Sequence, residues 1–325
     1  MPPEQTWKQI AERHYGFRRP SLLQKRRHFS LHHFIATGDA RYVLSRVSKA
    51  VDRLPFRLQF KIMKLLRGGG VMTVKAPVPT LDERFYVADG DFYWFVRRFQ
   101  PTDTVFWRVT PALVEEAASA LVPVHVAGSD AKRMAALGGV DHTRLAPYYR
   151  PVDTFLDAIG HAFPTAGVFD LSPNDRSLLD DTLAELQESR QKVLDGSRAL
   201  ELVGITHRDY RPDNLLVRNR KVVEIIDWDC AFIDHQLHDV AFAALQFGQR
   251  QCLHDADIGL AKVFIGRYLA ERGLEHLPDE LMWWFLRFTV VKRLLIKGRN
   301  HERIRLLRAL KDGPIPCLSV SGTAQ

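Results

Sequence analysis

The sequence predicts an α+β protein of two parts, a small antiparallel β-sheet followed by a mainly helical remainder. Three observations predict it. Strand-like runs separated by turn residues crowd residues 1–99, helical apolar spacing dominates from Pro111 onward, and one hairpin between Leu215 and Ile226 interrupts the helices with acidic and amide residues at its open end. At 325 residues the chain is long enough for two lobes, and 46% hydrophobic with 26% charged residues is ordinary globular composition.

Along the chain, Thr6 to His14 reads as a leading helix with Thr6 as its cap and Gly16 past its end. His28 to Ala36 and Arg41 to Ser48 are strand-like and flank a hairpin turn, Thr37-Gly38-Asp39-Ala40. Phe56 to Arg67 is a helical run, and Gly68-Gly69-Gly70 after it reads as a helix stop rather than a phosphate loop. Thr80 to Val87 and Phe92 to Phe99 read as strands around Asp89-Gly90-Asp91. Leu113 to His125 is helical, with His125 packed rather than a ligand. Asp175 to Leu194 is amphipathic, with Leu178, Leu179, Leu183 and Leu186 on one side and acids on a solvated face. Asp239 to Phe247, Ala261 to Arg272, Glu280 to Lys297 and Glu302 to Lys311 complete the helices, and Pro314 to Gln325 reads as frayed. Trp283, Trp284 and Phe285 read as core before they read as a pocket lining.

Composition excludes several classes. No charged start leads into an apolar stretch, and no apolar run approaches about 18 residues, so neither secretion nor membrane insertion is expected. Cys230, Cys252 and Cys317 are too widely spaced for a zinc motif or a disulfide framework, which predicts a reducing, cytoplasmic setting. The net charge is +8, with basic clusters in Arg13 to Arg27 and Arg287 to Lys311. No aromatic-basic recognition module accompanies them, so they read as solvated faces with a general affinity for anions, and a nucleic-acid partner is not expected. Ten acids lie between Asp153 and Glu201.

The chemistry concentrates in Thr206 to Asp229. Leu215 to Val217 and Val222 to Ile226 are apolar and rich in branched residues, and Arg218-Asn219-Arg220-Lys221 between them is a polar turn, so the pair reads as a β-hairpin. A hairpin returns the chain to its starting end, which puts Asn214 and Asp227 roughly 5 to 10 Å apart for strands about 4.8 Å from each other. Both can then reach one cation. Mg²⁺ takes oxygen ligands, one or two from protein and the rest from phosphates and water. Asp209, in the loop anchored by the same hairpin, can accept the proton of an attacking hydroxyl.

These residues carry a resemblance. His207-Arg208-Asp209 with Asn214 matches the H-x-D-x-x-x-x-N catalytic loop of protein kinases and of the aminoglycoside phosphotransferase superfamily. Ile226-Asp227-Trp228-Asp229 resembles the metal-binding segment of the latter, and the interval of 18 residues from Asp209 to Asp227 is the usual one. His238-Asp239-Val240-Ala241 resembles the helix start that follows in type II homoserine kinases and choline kinase-like enzymes.

The resemblance implies a bilobal protein-kinase-like fold, with residues 1–99 as a β-sheet N-lobe that binds nucleotide and residues 100–325 as a helical C-lobe for catalysis and acceptor binding. It implies ATP, or GTP, with Mg²⁺ as cofactors and a small-molecule hydroxyl as acceptor: an amino alcohol, a sugar-like metabolite or an antibiotic. Asp209 becomes the base and Arg211 the binder of the transferring phosphoryl group. Asn214 and Asp227 become metal ligands, with Asp229 as a further metal candidate because residues two apart on a strand share a face. His207 becomes a strut, and Asp239 caps its helix and braces the loop.

Within the N-lobe the resemblance asks for a phosphate-binding cation on the second hairpin strand, where the register admits Ser45 or Arg46. Arg46 is favoured, since serine cannot neutralise phosphate. Phe99-Gln100-Pro101 becomes the hinge against the nucleotide base, and Arg18 to Arg27 a loop over the phosphates, where the side chain of Lys25, Arg26 or Arg27 substitutes for backbone amides. Two departures stand out: that loop has no glycine, and the helix Phe56 to Arg67 has no acid, leaving Gln59 to restrain the cation. A pseudokinase-type regulatory module is therefore a second reading, and a protein kinase a weaker third, since no A-P-E pattern follows Asp227. Gly138 to Asp170, irregular and aromatic, is a candidate acceptor-site insertion or lid.

Overall fold

The computed structural model describes residues 3–27, 31–50, 56–103, 109–138, 150–159, 171–248, 258–297 and 300–311. Helix α1 (Pro3–Tyr15) precedes an antiparallel sheet of β1 (Ser21–Arg27), β2 (Leu31–Thr37), β3 (Ala40–Ser48), β4 (Val87–Asp89) and β5 (Phe92–Arg98), ordered β1-β2-β3-β5-β4. Helix α2 (Phe56–Gly68) connects β3 to β4. The turn between β2 and β3 is closed by the Thr37 and Ala40 pair, with Gly38 at φ 55°.

Alternation along the strands separates two faces. Ile35, Leu44, Trp94 and Val96 join Trp7, Ile10 and Tyr15 of α1 in a small apolar cluster. The opposite face, with Phe34, Ser45, Val47, Phe95 and Arg97, lines a cleft.

Several expectations are corrected in this region. α1 starts at Pro3 rather than after Thr6, although Gly16 ends it at φ 67°. The segment expected as a loop over phosphates is in large part β1, which pairs with β2 from Ser21 to Arg27. Residues 28–30 of the expected strand His28 to Ala36 lie outside the described residues. Thr80 to Val87 is mostly not strand: the Thr80 hydroxyl bonds the Asp82 carboxylate at 2.6 Å and accepts the Arg84 N–H at 2.9 Å, so side-chain bonding replaces ladder pairing.

The remaining elements are α3 (Pro111–Gly128), α4 (Ala131–Leu137), α5 (Val152–Ile159), α6 (Pro173–Ala199), β6 (Val203–Thr206), β7 (Leu215–Arg218), β8 (Lys221–Ile225), β9 (Phe232–His235), α7 (Gln236–Gly248), α8 (Ile258–Arg272), α9 (Asp279–Lys297) and α10 (Asn300–Ala309). Thr110 and Ser172 cap α3 and α6 through their hydroxyls, satisfying N–H groups a helix start leaves open. β6 pairs with β9 and β7 with β8, each antiparallel. Backbone contact between α3 and β6 requires Gly204, where a Cβ would sit 2.7 Å from the Gly128 carbonyl oxygen.

The acids of α6 are not a bare solvated face. Asp175 pairs with Arg308 and Glu185 with Arg287, while Lys311 lies 3.8 Å from Asp181. The acidic stretch and the basic C-terminal helices thus neutralise each other, as do Asp153 with Arg198 at 2.8 Å and Asp157 with Arg190. Trp284 and Phe285 are buried, as core residues should be, and Trp284 stacks on Phe288 at 5.4 Å. Most of Gly138 to Asp170 lies outside the described residues, and so does the segment Pro314 to Gln325.

Candidate active site

The site grows from the β7–β8 hairpin. Its turn is two residues, Asn219 and Arg220, at φ 51° and 61°, the paired positive values of a type I′ hairpin that suits strand twist. Leu215 opposes Ile225, and the Ile226 N–H donates to the Asn214 carbonyl at 2.9 Å, so Asn214 and Asp227 sit together at the open end. Asn214 occupies a 3₁₀ turn, Pro212–Asn214, and Asp227 is left-handed at φ 66° before a second 3₁₀ turn, Trp228–Cys230. Asp229 lies in that turn rather than on a strand, which corrects the reason given for its placement; it nevertheless lines the cleft with Asp227 and Asn214.

The Asn214 amide nitrogen donates to the Asp209 carbonyl at 2.8 Å and to Asp209 Oδ2 at 3.0 Å. Asp209 is largely buried, and burial raises its carboxyl above the usual range, opposed by Arg211 and His207 and reinforced by Asp227. Arg211 Nε lies 3.9 Å from Asp209 Oδ2, and its terminal nitrogen pairs with Asp213.

The loop behind these groups is fixed from below. His207 Nε2 donates to the Ile226 carbonyl at 2.9 Å, its ring meets Trp228 edge-on at 4.6 Å, and its Nδ1 faces the Asp209 N–H at 3.4 Å. Asp239 accepts the His207 N–H at 2.7 Å, the Arg208 N–H at 2.8 Å and a bond from His125 Nε2 at 3.1 Å. His125 is fully buried, and its Nδ1 bonds the Tyr268 hydroxyl at 2.7 Å, so it is the packed histidine expected. Asp239 lies in the first turn of α7, and its carboxylate bonds His125 and the His207 and Arg208 N–H groups: it braces the loop and does not cap the helix.

The cleft above this floor has a volume of about 330 Å³, with an aromatic wall of Phe56, Phe60 and Phe95. Here the cation expectation is corrected. Ser45 faces the cleft, whereas Arg46 points to the opposite face and stacks on Phe92 and Trp94 at 4.2 and 5.6 Å from the ring centres, because successive strand residues alternate. Gln59 of α2 does line the cleft. Phe99 donates its N–H to the Arg41 carbonyl at 2.9 Å and meets Phe34 edge-on at 6.1 Å; neither it nor Gln100 is among the residues lining the cavity.

Three lining residues with charged side chains, Lys75, Arg97 and Glu224, escaped the sequence reading. Two of them left a signal. Arg97 shares the strand face of Phe95, and Glu224 is an acid inside the apolar run Val222 to Ile226. Glu224 is 2% exposed, and burial pushes its carboxyl up to about 7 against the pull of Arg97 and Lys75.

The donor set suits a hard cation. Asn214 commits its amide nitrogen to Asp209, which turns its Oδ1 into the free acceptor, and the carboxylates of Asp227 and Asp229 share the cleft with it.

A β-sheet region, a mainly helical region and a catalytic-type hairpin beneath the cleft between them define a bilobal protein-kinase-like α+β fold. The chain belongs to the phosphotransferase enzyme family, whose profile matches residues 31–277. Among solved structures it is similar to spectinomycin phosphotransferase in complex with ADP and spectinomycin (14% identity, 96% of this chain and 95% of that one, TM-score 0.57). It is similar also to a microcompartment-associated aminopropanol kinase (17%, 95% and 95%, 0.64) and to amicoumacin kinase in complex with AMP-PNP, Ca²⁺ and Ami (12%, 96% and 92%, 0.61). No curated protein matches the chain. No described helix is long and apolar enough to cross a membrane.

Proposed function

We propose that this chain is a small-molecule kinase that transfers the γ-phosphoryl group of ATP, or GTP, to a hydroxyl of an amino alcohol, a sugar-like metabolite or an antibiotic. The observation that carries the reading is that Asn214 hydrogen bonds Asp209 while lining the same cleft as Asp227. Asp209 orients the acceptor hydroxyl and takes its proton. Its contribution is mainly positional, because phosphoryl transfer depends on alignment and charge neutralisation. Arg211 adds a fork of donors for the phosphoryl oxygens.

Mg²⁺ would be held by Asn214 and Asp227, with Asp229 as a further ligand, and supplies charge neutralisation at the phosphates when bound. Residues 1–99 form the nucleotide side and 100–325 the catalytic and acceptor side, with Phe99 and Gln100 at their junction. The nucleotide complexes of the similar structures support the reading. The acid-rich stretch Asp153 to Glu201 would suit a polycationic acceptor and the basic C-terminal helices an anionic one, but Glu185 and Asp175 pair with Arg287 and Arg308, so neither charge run supports one acceptor class over the other.

The test is Mg²⁺-dependent nucleotide consumption by the purified chain across a panel of hydroxylated metabolites and antibiotics, with Asp209→Ala and Asp227→Ala alongside. Turnover lost in both folded variants supports the proposal. Full activity in either one, or nucleotide binding with no turnover on any acceptor, favours the regulatory module.

A further inference from the structure

The cleft face of β3 carries Ser45 where a phosphate-binding cation is expected, and α2 offers Gln59 where an acid is expected. An anionic nucleotide in this cleft needs a cation from elsewhere. Besides His32, whose Nδ1 hydrogen bonds the Ser45 hydroxyl at 2.9 Å, three lysine or arginine side chains line it. Lys75 donates its ammonium to the Met72 carbonyl at 2.6 Å, and Arg26 is exposed, 5.8 Å over the Phe34 ring. Arg97 differs from both.

Arg97 is on β5, the strand hydrogen bonded to β3, where Ser45 opposes Phe95 and Val43 opposes Arg97. Ser45 and Arg97 are therefore diagonal neighbours on one face, about 7–8 Å apart, a span an arginine side chain covers. The guanidinium is turned inward: its side chain is only 23% exposed, it lies 3.9 Å from Glu224 Oε1, and it feels the charge of Asp227. Glu224 comes from β8, three residues before Asp227. Its other oxygen, Oε2, is buried without a hydrogen-bond partner, so the carboxylate has capacity to hold Arg97 more closely.

We propose that Arg97 is the cation that binds the nucleotide phosphates in this chain, and that Glu224 is the positioning residue that holds it. The pair stands on strands β5 and β8 rather than on strand β3 and helix α2. This inference rests on the nucleotide reading above.

The experiment measures binding of MgADP, MgGDP, adenosine and guanosine to the full chain by calorimetry, with steady-state kinetics where turnover is found. Arg97→Met should weaken the diphosphate that the wild type binds by about 10- to 100-fold, the weight of a charge-assisted fork, with the matching nucleoside unchanged and Arg97→Lys in between. Because Arg97→Met leaves Glu224 unpaired, the double variant Arg97→Met with Glu224→Gln guards against misfolding and should show the same selective loss. Adding Ser45→Lys to that double variant should restore diphosphate affinity. Glu224→Gln alone should raise the nucleotide KM more than it lowers kcat, with partial rescue by Glu224→Asp.

Unchanged diphosphate binding in folded Arg97→Met, or equal loss of diphosphate and nucleoside, overturns the assignment while leaving the nucleotide reading intact. Absence of diphosphate and nucleoside binding by the wild type overturns both.

Discussion

Asp239 grips the loop that begins at His207: one carboxylate oxygen accepts the His207 N–H at 2.7 Å and the other the neighbouring Arg208 N–H at 2.8 Å. The carboxylate is buried, a position that by itself opposes ionisation, yet the bond from His125 and the neighbouring His207 with its N–H hold it below the usual carboxylate range. Asp239→Ala strands three buried donors and should cost about 2–4 kcal/mol in urea unfolding. Turnover should fall further than stability, because Asp209 loses its support. Asp239→Ala with wild-type kinetics would show that the loop holds itself.

Asp209 and Asp227 should separate kinetically. Asp209→Ala, which removes both positioning and proton acceptance, should lower kcat by about 10²–10⁴-fold with little change in Mg²⁺ dependence. Asp227→Asn should raise the Mg²⁺ concentration for half-maximal rate, a shift read directly from metal titrations at saturating nucleotide.

Arg46 provides a check on strand register. Its stacking on Phe92 is worth about 0.5–1 kcal/mol, so Arg46→Ala should lower stability by that amount and leave nucleotide affinity within about twofold. A large loss of affinity would return the phosphate cation to β3.

His33 ties stability to pH. It is 1% exposed between Trp7 and Trp94, each 5.9 Å away, and burial with help from Lys25 lowers its pKa from 6.5 to about 4. Between those values the unfolded chain takes up a proton that the folded chain refuses. This group's contribution is thus full above pH 6.5 and declines as pH falls toward 4, by on the order of 2–3 kcal/mol. His33→Phe should flatten that part of the melting temperature profile; an unaltered profile would place the dependence on other groups.

Much of the fold was legible because it is local. The β7–β8 hairpin followed from branched runs around a polar turn, and α2, α3 and α6 from apolar spacing with stops and caps nearby. The strand at Thr80 failed because a threonine hydroxyl satisfied the backbone, and the pair β6 and β9 went unseen because four-residue strands far apart in sequence leave almost no periodic signal.

The sequence by itself determined the hairpin that brings Asn214 and Asp227 together, since its register is set by contiguous residues. It also determined the buried fate of His125, whereas the brace at Asp239 followed only from the resemblance. Only the tertiary structure decided which side of β3 meets the cleft, and hence that Ser45 lies there and Arg46 does not, because a shift of one residue in strand register exchanges the two faces. Tertiary packing alone also joined Arg97 to Glu224 and the acids of α6 to the basic helices α9 and α10: these partners are many residues apart, and charge in a sequence does not say which opposite charge it will meet.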